Sequence, residues 1–192
     1  MEIEVAGERV TLDGRALVWG RTVVVADTHF GKDATARAGG AAVPEGVTSA
    51  DLARLDGLLD RHEAERLWVL GDVFHSEFSR EPRTMAVLEG WRSRREELAI
   101  EIVLGNHDRR VEALTDRLGM TILPIGVERG VWRLAHEPKV VKGGHVLCGH
   151  VHPGVRVSGA GRQGVRLPCF TVRKNNTILP AFGGMTGAVV GR

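Results

Sequence analysis

Three short, mainly apolar segments in the first half of the chain alternate with amphipathic stretches, and each segment ends in a polar cluster. The segments are residues 22–26, 67–70 and 100–104. Short apolar runs of this kind are typical of strands buried on both faces of a sheet. Their alternation with helical patterns predicts parallel strands joined by helices, as in α/β proteins.

The stretches between these strands carry helix signals. Leu52, Leu55, Leu58 and Leu59 fall on one helical face, and the preceding Thr48 to Asp51 has the pattern of a capping box. Pro82 suits the first turn of a second helix, and Gly119 suits the end of a third. Residues 30–46 are rich in Gly and Ala, which predicts a long loop with about one helical turn.

The rest of the chain is rich in predicted strands. Three of them, residues 3–5, 10–12 and 17–19, form a meander before the first buried strand. After residue 120 the predicted strands are residues 121–125, 131–135, 145–148, 155–157, 165–172 and 177–179. The whole pattern predicts α/β layers with a pair of mixed sheets in a single domain spanning residues 1–192.

Composition excludes several classes of protein. No apolar run approaches the ~20 residues of a membrane span, and the acidic start does not resemble a signal peptide, so we expect a cytoplasmic protein.

Charge is uneven along the chain. Residues 1–100 hold 13 Lys and Arg against 18 Asp and Glu, whereas residues 101–192 hold 13 against 6. The second half therefore has a net charge of +7, which favours a polyanionic partner, although an uneven solvated surface explains it equally well.

The polar clusters at the strand ends contain the donor atoms of a metal site. Ligands of open α/β sheets bind beyond the carboxyl ends of the strands, so we expect these clusters to converge. Carboxylate, imidazole and amide donors without thiolates suit Mn, Fe or Zn. Seven candidates are too many for one tetrahedral ion but match two ions that share a carboxylate, an arrangement that clamps the attacking and leaving oxygens in displacement at phosphorus. The candidates are Asp27, His29, Asp72, Asn106, His136, His150 and His152.

Each cluster alone is weak evidence. An isolated Asp at a strand end is more often a turn or cap residue, and a lone His is more often an ordinary surface or core residue. Five of the eight histidines, however, lie in these clusters, each after an apolar strand. That combination favours a site over five unrelated coincidences.

The clusters resemble the signature of the calcineurin-like metallophosphoesterase superfamily: D-x-H, then G-D, G-N-H-D, H and G-H-x-H, between Asp27 and His152. The resemblance implies a four-layer sandwich of two mixed β-sheets flanked by helices. It also implies that one ion is held by Asp27, His29 and His152, a second by Asn106, His136 and His150, and that Asp72 bridges them. His107 would protonate the leaving oxygen, and Asp108 would hydrogen-bond His107 and orient it.

A narrower resemblance links the chain to the bacterial DNA-ligase-associated metallophosphoesterases. It rests on short stretches such as residues 27–32, 149–153 and 179–183. It implies a small phosphodiesterase with a functional link to DNA repair beside a ligase, a helicase and a nuclease. Together with the basic second half, the ligand set favours nucleic acid, DNA or RNA, or a nucleotide as the substrate, and two divalent ions, Mn first, as the cofactor. Fe and Zn suit the same ligands.

Three further residues are candidates for contact with the substrate. Arg109 and Arg110 directly follow the third cluster, and His75 lies three residues after Asp72. For His75, a solvated loop histidine is the favoured explanation, because no second signal accompanies it. Two other functions remain open: a phosphomonoesterase or cyclic-nucleotide phosphodiesterase with the same ligands, and a non-catalytic scaffold that kept the fold.

Overall fold

A computed structural model of the chain describes residues 1–76, 81–108, 110–138, 143–159 and 163–190. Its helices are α1 (Lys32–Ala38), α2 (Val47–Arg61), α3 (Pro82–Ser93) and α4 (Glu112–Arg117). None of the helices in the described ranges is long and apolar enough to cross a membrane.

Seven strands form the first sheet, in chain order from one edge to the other. They are β1 (Glu2–Val5), β2 (Glu8–Asp13), β3 (Ala16–Trp19), β4 (Thr22–Val25), β5 (Arg66–Leu70), β6 (Ala99–Val103) and β7 (Met120–Leu123). The first four are antiparallel neighbours, and β4 to β7 are parallel neighbours. The predicted meander and the three predicted buried strands are therefore confirmed.

The second sheet has five strands in the order β13-β14-β10-β9-β8. They are β8 (Val127–Arg129), β9 (Trp132–Leu134), β10 (His145–Cys148), β13 (Thr171–Val172) and β14 (Asn176–Ile178). A third sheet, in the order β12-β11-β15, contains β11 (Pro153–Ser158), β12 (Gly164–Pro168) and β15 (Val189–Val190). All three sheets mix parallel and antiparallel pairs.

Two hydrophobic clusters hold the layers together. One lies between one face of the first sheet and α2, α3 and α4, and it includes Leu55, Leu88, Ile102 and Leu118. The other lies between the opposite face and the second sheet, where Trp68, Leu70, Trp132 and Leu147 are fully buried. Mixed sheets flanked by helices are thus confirmed. The described residues contain no helix after α4, so the outer helical layer expected beside the second sheet is not seen among them.

The local predictions differ from the structure in identifiable ways. Residues 32–38 form a helix of seven residues, which is longer than the single turn predicted there. The predicted strand 165–172 is two strands, β12 and β13, and the short strands β8 and β15 were not predicted. Two-residue or three-residue strands with alternating exposure carry too few apolar residues to be detected from periodicity.

The predicted capping box at the start of α2 is wrong. The N-cap is Gly46, with no side-chain cap. Thr48 Oγ1 instead accepts a hydrogen bond from the Gly31 N–H and donates one to Asp33 Oδ1. Asp51 accepts the Gly184 N–H. Both side chains tie α2 to distant segments, and these tertiary bonds replace the local ones because each side chain has limited hydrogen-bonding capacity.

Candidate metal centre

The loops that follow β4 and β5 are held together by backbone hydrogen bonds. The Asp27 N–H donates to the Gly71 carbonyl at 3.1 Å, and the His29 N–H donates to the Asp72 carbonyl at 2.9 Å. The parallel pairing of the two strands thus continues past their ends. It fixes three of the predicted ligands, Asp27, His29 and Asp72, at the carboxyl edge of the first sheet.

Five of the seven predicted ligands have a left-handed backbone. The φ angles are 53° at Asp27, 45° at His29, 49° at Asp72, 70° at His150 and 50° at His152. This region costs a residue other than glycine about 1–3 kcal/mol, and such residues cluster at functional sites. Backbone strain is therefore concentrated at residues that are predicted to bind metal.

The first group of converging donors contains Asp27, His29 and His152. One donor atom from each lies within 4.8 Å of the other two, and His152 Nε2 is 3.3 Å from Asp27 Oδ1. Among the described residues, the buried Nε2 atoms of His29 and His152 form no hydrogen bond. Buried polar atoms are ordinarily paired. A metal ion among these donors would satisfy both nitrogen atoms.

The second group is centred on His136. Its Nε2 atom lies 3.6 Å from Asp72 Oδ2, 3.1 Å from Asn106 Oδ1 and 3.0 Å from His150 Nδ1. Its Nδ1 atom is 3.1 Å from the Leu70 carbonyl, which can only accept a hydrogen bond. The proton of the neutral ring therefore lies on Nδ1, and Nε2 keeps the lone pair that a metal ion needs.

Asp72 lies between the two groups. Its Oδ2 atom is 3.8 Å from His29 Nε2 in the first group and 3.6 Å from His136 Nε2 in the second. Two ligands of one tetrahedral ion, each about 2.1 Å from it, are about 3.4 Å apart. The separations fit an ion on either side of this carboxylate. Asp27 lies near both groups, although its Oδ1 atom faces His136 Nδ1, at 3.8 Å, and not the Nε2 atom that keeps the lone pair.

His29 is held in the neutral form that binds metals. Burial, followed by the nearby positive charge of Lys32, lowers the pKa of His29 to about 2. His75 Nδ1 lies 3.3 Å from His29 Nδ1, so the pair turns His29 Nε2 toward the carboxylates. The prediction that His75 is a solvated loop residue is therefore wrong, because its side chain is half-buried. Its position three residues after Asp72 was the only sequence feature that indicated a place in the site.

The ring of His107 is exposed beside the first group. It stacks on the ring of His75, with the two ring centroids 5.3 Å apart, and lies edge-on to the ring of His29, with the centroids 5.2 Å apart. Its Nδ1 atom is 3.2 Å from the His75 carbonyl, and its backbone N–H donates to Asp72 Oδ1 at 2.9 Å. The carbonyl holds the proton of the neutral ring on Nδ1, so Nε2 is the atom available for proton transfer.

The expected hydrogen bond from Asp108 to His107 is not found among the described residues. The buried Asp108 carboxylate instead accepts three backbone N–H groups, from Val73 at 3.2 Å, Phe74 at 3.0 Å and Gly105 at 2.9 Å. Burial raises the pKa of this carboxyl, and the three N–H donors oppose that rise. Asp108 thus joins the loops after β5 and β6, and the carbonyl of His75 orients His107.

The remaining candidates for substrate contact are the two arginines. Arg110 is exposed, and its φ is 54°. Arg109 lies outside the described residues. Lys32 is half-buried near Asp72, and burial lowers the pKa of its amine.

Gly105 makes room for Asp72. A Cβ atom at residue 105 would lie 2.2 Å from Asp72 Oδ1 and 2.4 Å from the Asp72 backbone nitrogen. No flexible side chain can relieve the second clash. We expect Gly105→Ala to move Asp72 and to lower the melting temperature by several degrees, since such strain costs about 1–3 kcal/mol and each kcal/mol shifts this size of protein by about 2–4 °C.

Gly57 provides the matched control for this substitution. It is exposed within α2, and a Cβ atom there would meet nothing within 4 Å. Gly57→Ala should raise the stability by up to about 1 kcal/mol because alanine favours the helix. Thermal unfolding of both variants measures the difference. Equal melting temperatures would show that the loop of Gly105 adapts without strain.

Comparison with solved structures shows similarity over the whole chain. The crystal structure of Pseudomonas putida nuclease MPE is 36% identical in sequence and has a TM-score of 0.86, with 100% of this chain and 91% of that chain covered. Two more distant structures, each 18% identical with a TM-score of 0.47, are the protein of unknown function AQ665 from Aquifex aeolicus and the E. coli phosphoesterase Yfce. Coverage is 68% of this chain and 78% of that chain for the first, and 83% and 77% for the second. No protein-family model and no curated protein matches the chain.

Proposed function

The chain belongs to the metallophosphoesterase family and is a metal-dependent phosphoesterase, and we propose that it is a binuclear phosphodiesterase acting on nucleic acid or nucleotides. One observation carries the proposal. Two groups of donors meet at the buried Asp72, whose Oδ2 atom is within 3.8 Å of a histidine nitrogen on each side. A shared carboxylate between two donor sets is the arrangement that two-metal phosphoryl chemistry requires.

The ligands are assigned by donor group. Asp27, His29 and His152 would hold one ion, Asn106, His136 and His150 would hold the second, and Asp72 would contact both. The Nε2 atoms of His29 and His152, which have no hydrogen-bond partner in the described part of the chain, support the first set. The convergence on His136 Nε2 supports the second set.

The chemistry divides between the ions and the protein. Two divalent ions would supply Lewis acidity toward the phosphoryl oxygens and neutralise their charge. His107, when protonated on both ring nitrogens, would give the Nε2 proton to the leaving oxygen and keep the Nδ1 proton on the His75 carbonyl. Asp108 would fix the positions of the ligands without contacting the substrate, because its carboxylate joins the loops that carry Asp72 and Asn106.

Manganese is the proposed metal, with Fe or Zn as alternatives. Every proposed donor is an oxygen or an imidazole nitrogen, and these suit Mn, Fe and Zn. Cys148 is buried in β10 and belongs to neither group of converging donors among the described residues. Metal content of the protein purified without added metal would identify the ion.

Two observations favour a nucleic-acid strand as the substrate. The similar Pseudomonas putida protein is named a nuclease. The second half of this chain, residues 101–192, supplies four of the proposed ligands and has a net charge of +7. A role in DNA repair beside a ligase and a helicase belongs to the same proposal and rests on the family resemblance. The cytoplasmic location expected from the sequence is also part of the proposal.

Paired chromogenic substrates test the proposal. Protein stripped with a chelator should hydrolyse neither bis(4-nitrophenyl) phosphate nor 4-nitrophenyl phosphate, and added Mn²⁺ should restore turnover of the diester above that of the monoester. A preference for the monoester would identify a phosphomonoesterase. Turnover confined to cyclic nucleotides would identify a cyclic-nucleotide phosphodiesterase, and no turnover with Mn²⁺, Fe²⁺ or Zn²⁺ would leave only a scaffold.

A further inference from the structure

A β-hairpin starts directly after the proposed metal ligand His152. Its first strand, β11, begins at Pro153 and pairs with β12 through five residue pairs, from Gly154 opposite Pro168 to Ser158 opposite Gly164. The third strand of the sheet, β15, pairs with β11 only at Pro153 and Gly154. Beyond Gly154 the two paired strands therefore extend away from the rest of the third sheet.

Both faces of this hairpin are exposed. Val155, Val157, Val165 and Leu167 lie on one face, and between 44% and 53% of each residue is accessible. Arg156 and Arg166 lie on the opposite face, and both are exposed. A strand normally buries one of its faces. Exposure of both shows that the hairpin stands out from the body of the protein beside the metal centre.

The two arginines form an unfavourable pair. Arg156 lies directly opposite Arg166 in the register of the hairpin, and like charges in this arrangement destabilise a sheet. Neither forms an ion pair with a carboxylate in the part of the chain that the structure describes. Other arginines do so: Arg129 and Arg66 share Glu101, for example. The hairpin therefore presents two adjacent positive charges that no described acidic side chain neutralises.

We propose that the Arg156–Arg166 face of the hairpin binds the phosphate backbone of the nucleic-acid strand that continues from the scissile phosphodiester. This inference rests on the proposed function. Arg156 is four residues from His152 along an extended strand, a separation of at most about 13 Å. A polynucleotide held at the metal centre spans that distance, whereas a small chromogenic diester does not. The two guanidinium groups match the negative charge of consecutive phosphates.

The test removes both charges and compares a polymer with a small substrate. The double variant Arg156→Gln/Arg166→Gln is compared with the control Arg9→Gln/Arg94→Gln, which changes the net charge equally at exposed positions in β2 and at the end of α3. Affinity for a labelled single-stranded DNA oligonucleotide is measured by fluorescence anisotropy, with Ca²⁺ replacing Mn²⁺ to prevent cleavage. Turnover of bis(4-nitrophenyl) phosphate with Mn²⁺ is measured in parallel.

The double hairpin variant should bind the oligonucleotide more weakly and with less dependence on salt. Loss of two phosphate contacts should reduce the slope of log affinity against log salt by about 1.4, which corresponds to roughly 25-fold in affinity at about 0.1 M salt. Turnover of the small diester should stay unchanged in both double variants. The control should bind the oligonucleotide nearly as well as the wild type.

Two results would overturn the inference. One is an equal affinity and salt slope in the hairpin and control variants while the wild type still hydrolyses the small diester, which would leave the proposed function intact. The other is a wild-type dimer that Val157→Lys dissociates, with oligonucleotide affinity unaffected by the arginine substitutions, which would identify the hairpin as an interface between two copies of this chain. Absence of diester turnover in the wild type would instead count against the proposed function itself.

Discussion

Replacement of Asp72 by asparagine should abolish metal-dependent hydrolysis while leaving the fold intact. The amide keeps the shape of the side chain and can still accept the His107 backbone N–H at Oδ1. It loses the negative charge that lies between His29 and His136. We expect kcat for bis(4-nitrophenyl) phosphate with Mn²⁺ to fall at least about 10³-fold, equivalent to about 4 kcal/mol of transition-state stabilisation.

The same substitution should weaken the stabilisation of the protein by metal. At a metal concentration of about 100 times the dissociation constant, binding stabilises the folded state by about 2.7 kcal/mol, or about 5–10 °C for a protein of this size. Asp33→Asn is the matched control, because Asp33 is equally buried but bonds to Thr48 and Arg37. If Asp72→Asn keeps both its activity and its metal-induced rise in melting temperature, the shared carboxylate is not part of the site.

Replacement of His107 by alanine should affect substrates according to their leaving group. A nucleoside oxygen leaves poorly unless it is protonated, so we expect cleavage of an oligonucleotide to fall about 10²–10⁴-fold. Nitrophenolate leaves without a proton, and turnover of bis(4-nitrophenyl) phosphate should fall by much less. The two substrates, measured with the same variant and the same metal, control for each other.

An equal loss with both substrates would show that His107 supports the site in another way. The structure makes this outcome distinguishable from a damaged metal centre. The bond to Asp72 comes from the backbone N–H of His107, which alanine retains. A variant that still gains thermal stability from Mn²⁺ but loses both activities equally would exclude a general-acid role.

The strand-end pattern predicted the main features of the fold and the convergence of the candidate ligands. The strands β4, β5 and β6 could be predicted from the sequence because each is short, apolar and followed at once by a polar cluster. Neighbouring parallel strands bring such clusters to the same edge whatever the intervening loops do. The histidines after β9 and β10 join them because the second sheet packs on the first through Trp132 and Leu147.

The partners of individual polar side chains could not be predicted in the same way. Thr48 and Asp51 have a local capping pattern, yet both bond to residues far away in the sequence. Asp108 is adjacent to His107, yet its carboxylate accepts backbone N–H groups from the loop after β5. Several partners satisfy each of these groups, and only the tertiary structure selects among them. The contacts of His75 depend on the same long-range geometry.

The donors of the proposed metal centre come from both large sheets. Asp27, His29, Asp72 and Asn106 follow strands of the first sheet, whereas His136, His150 and His152 follow strands of the second. The Asp27 carboxylate also accepts the His150 N–H, which links the two sheets directly. Ions held there would act as a thermodynamic link between the sheets, because separation of the two would break both coordination sets at once. The rate at which bound metal exchanges with free metal would then report how often the interface between the sheets opens in the native protein.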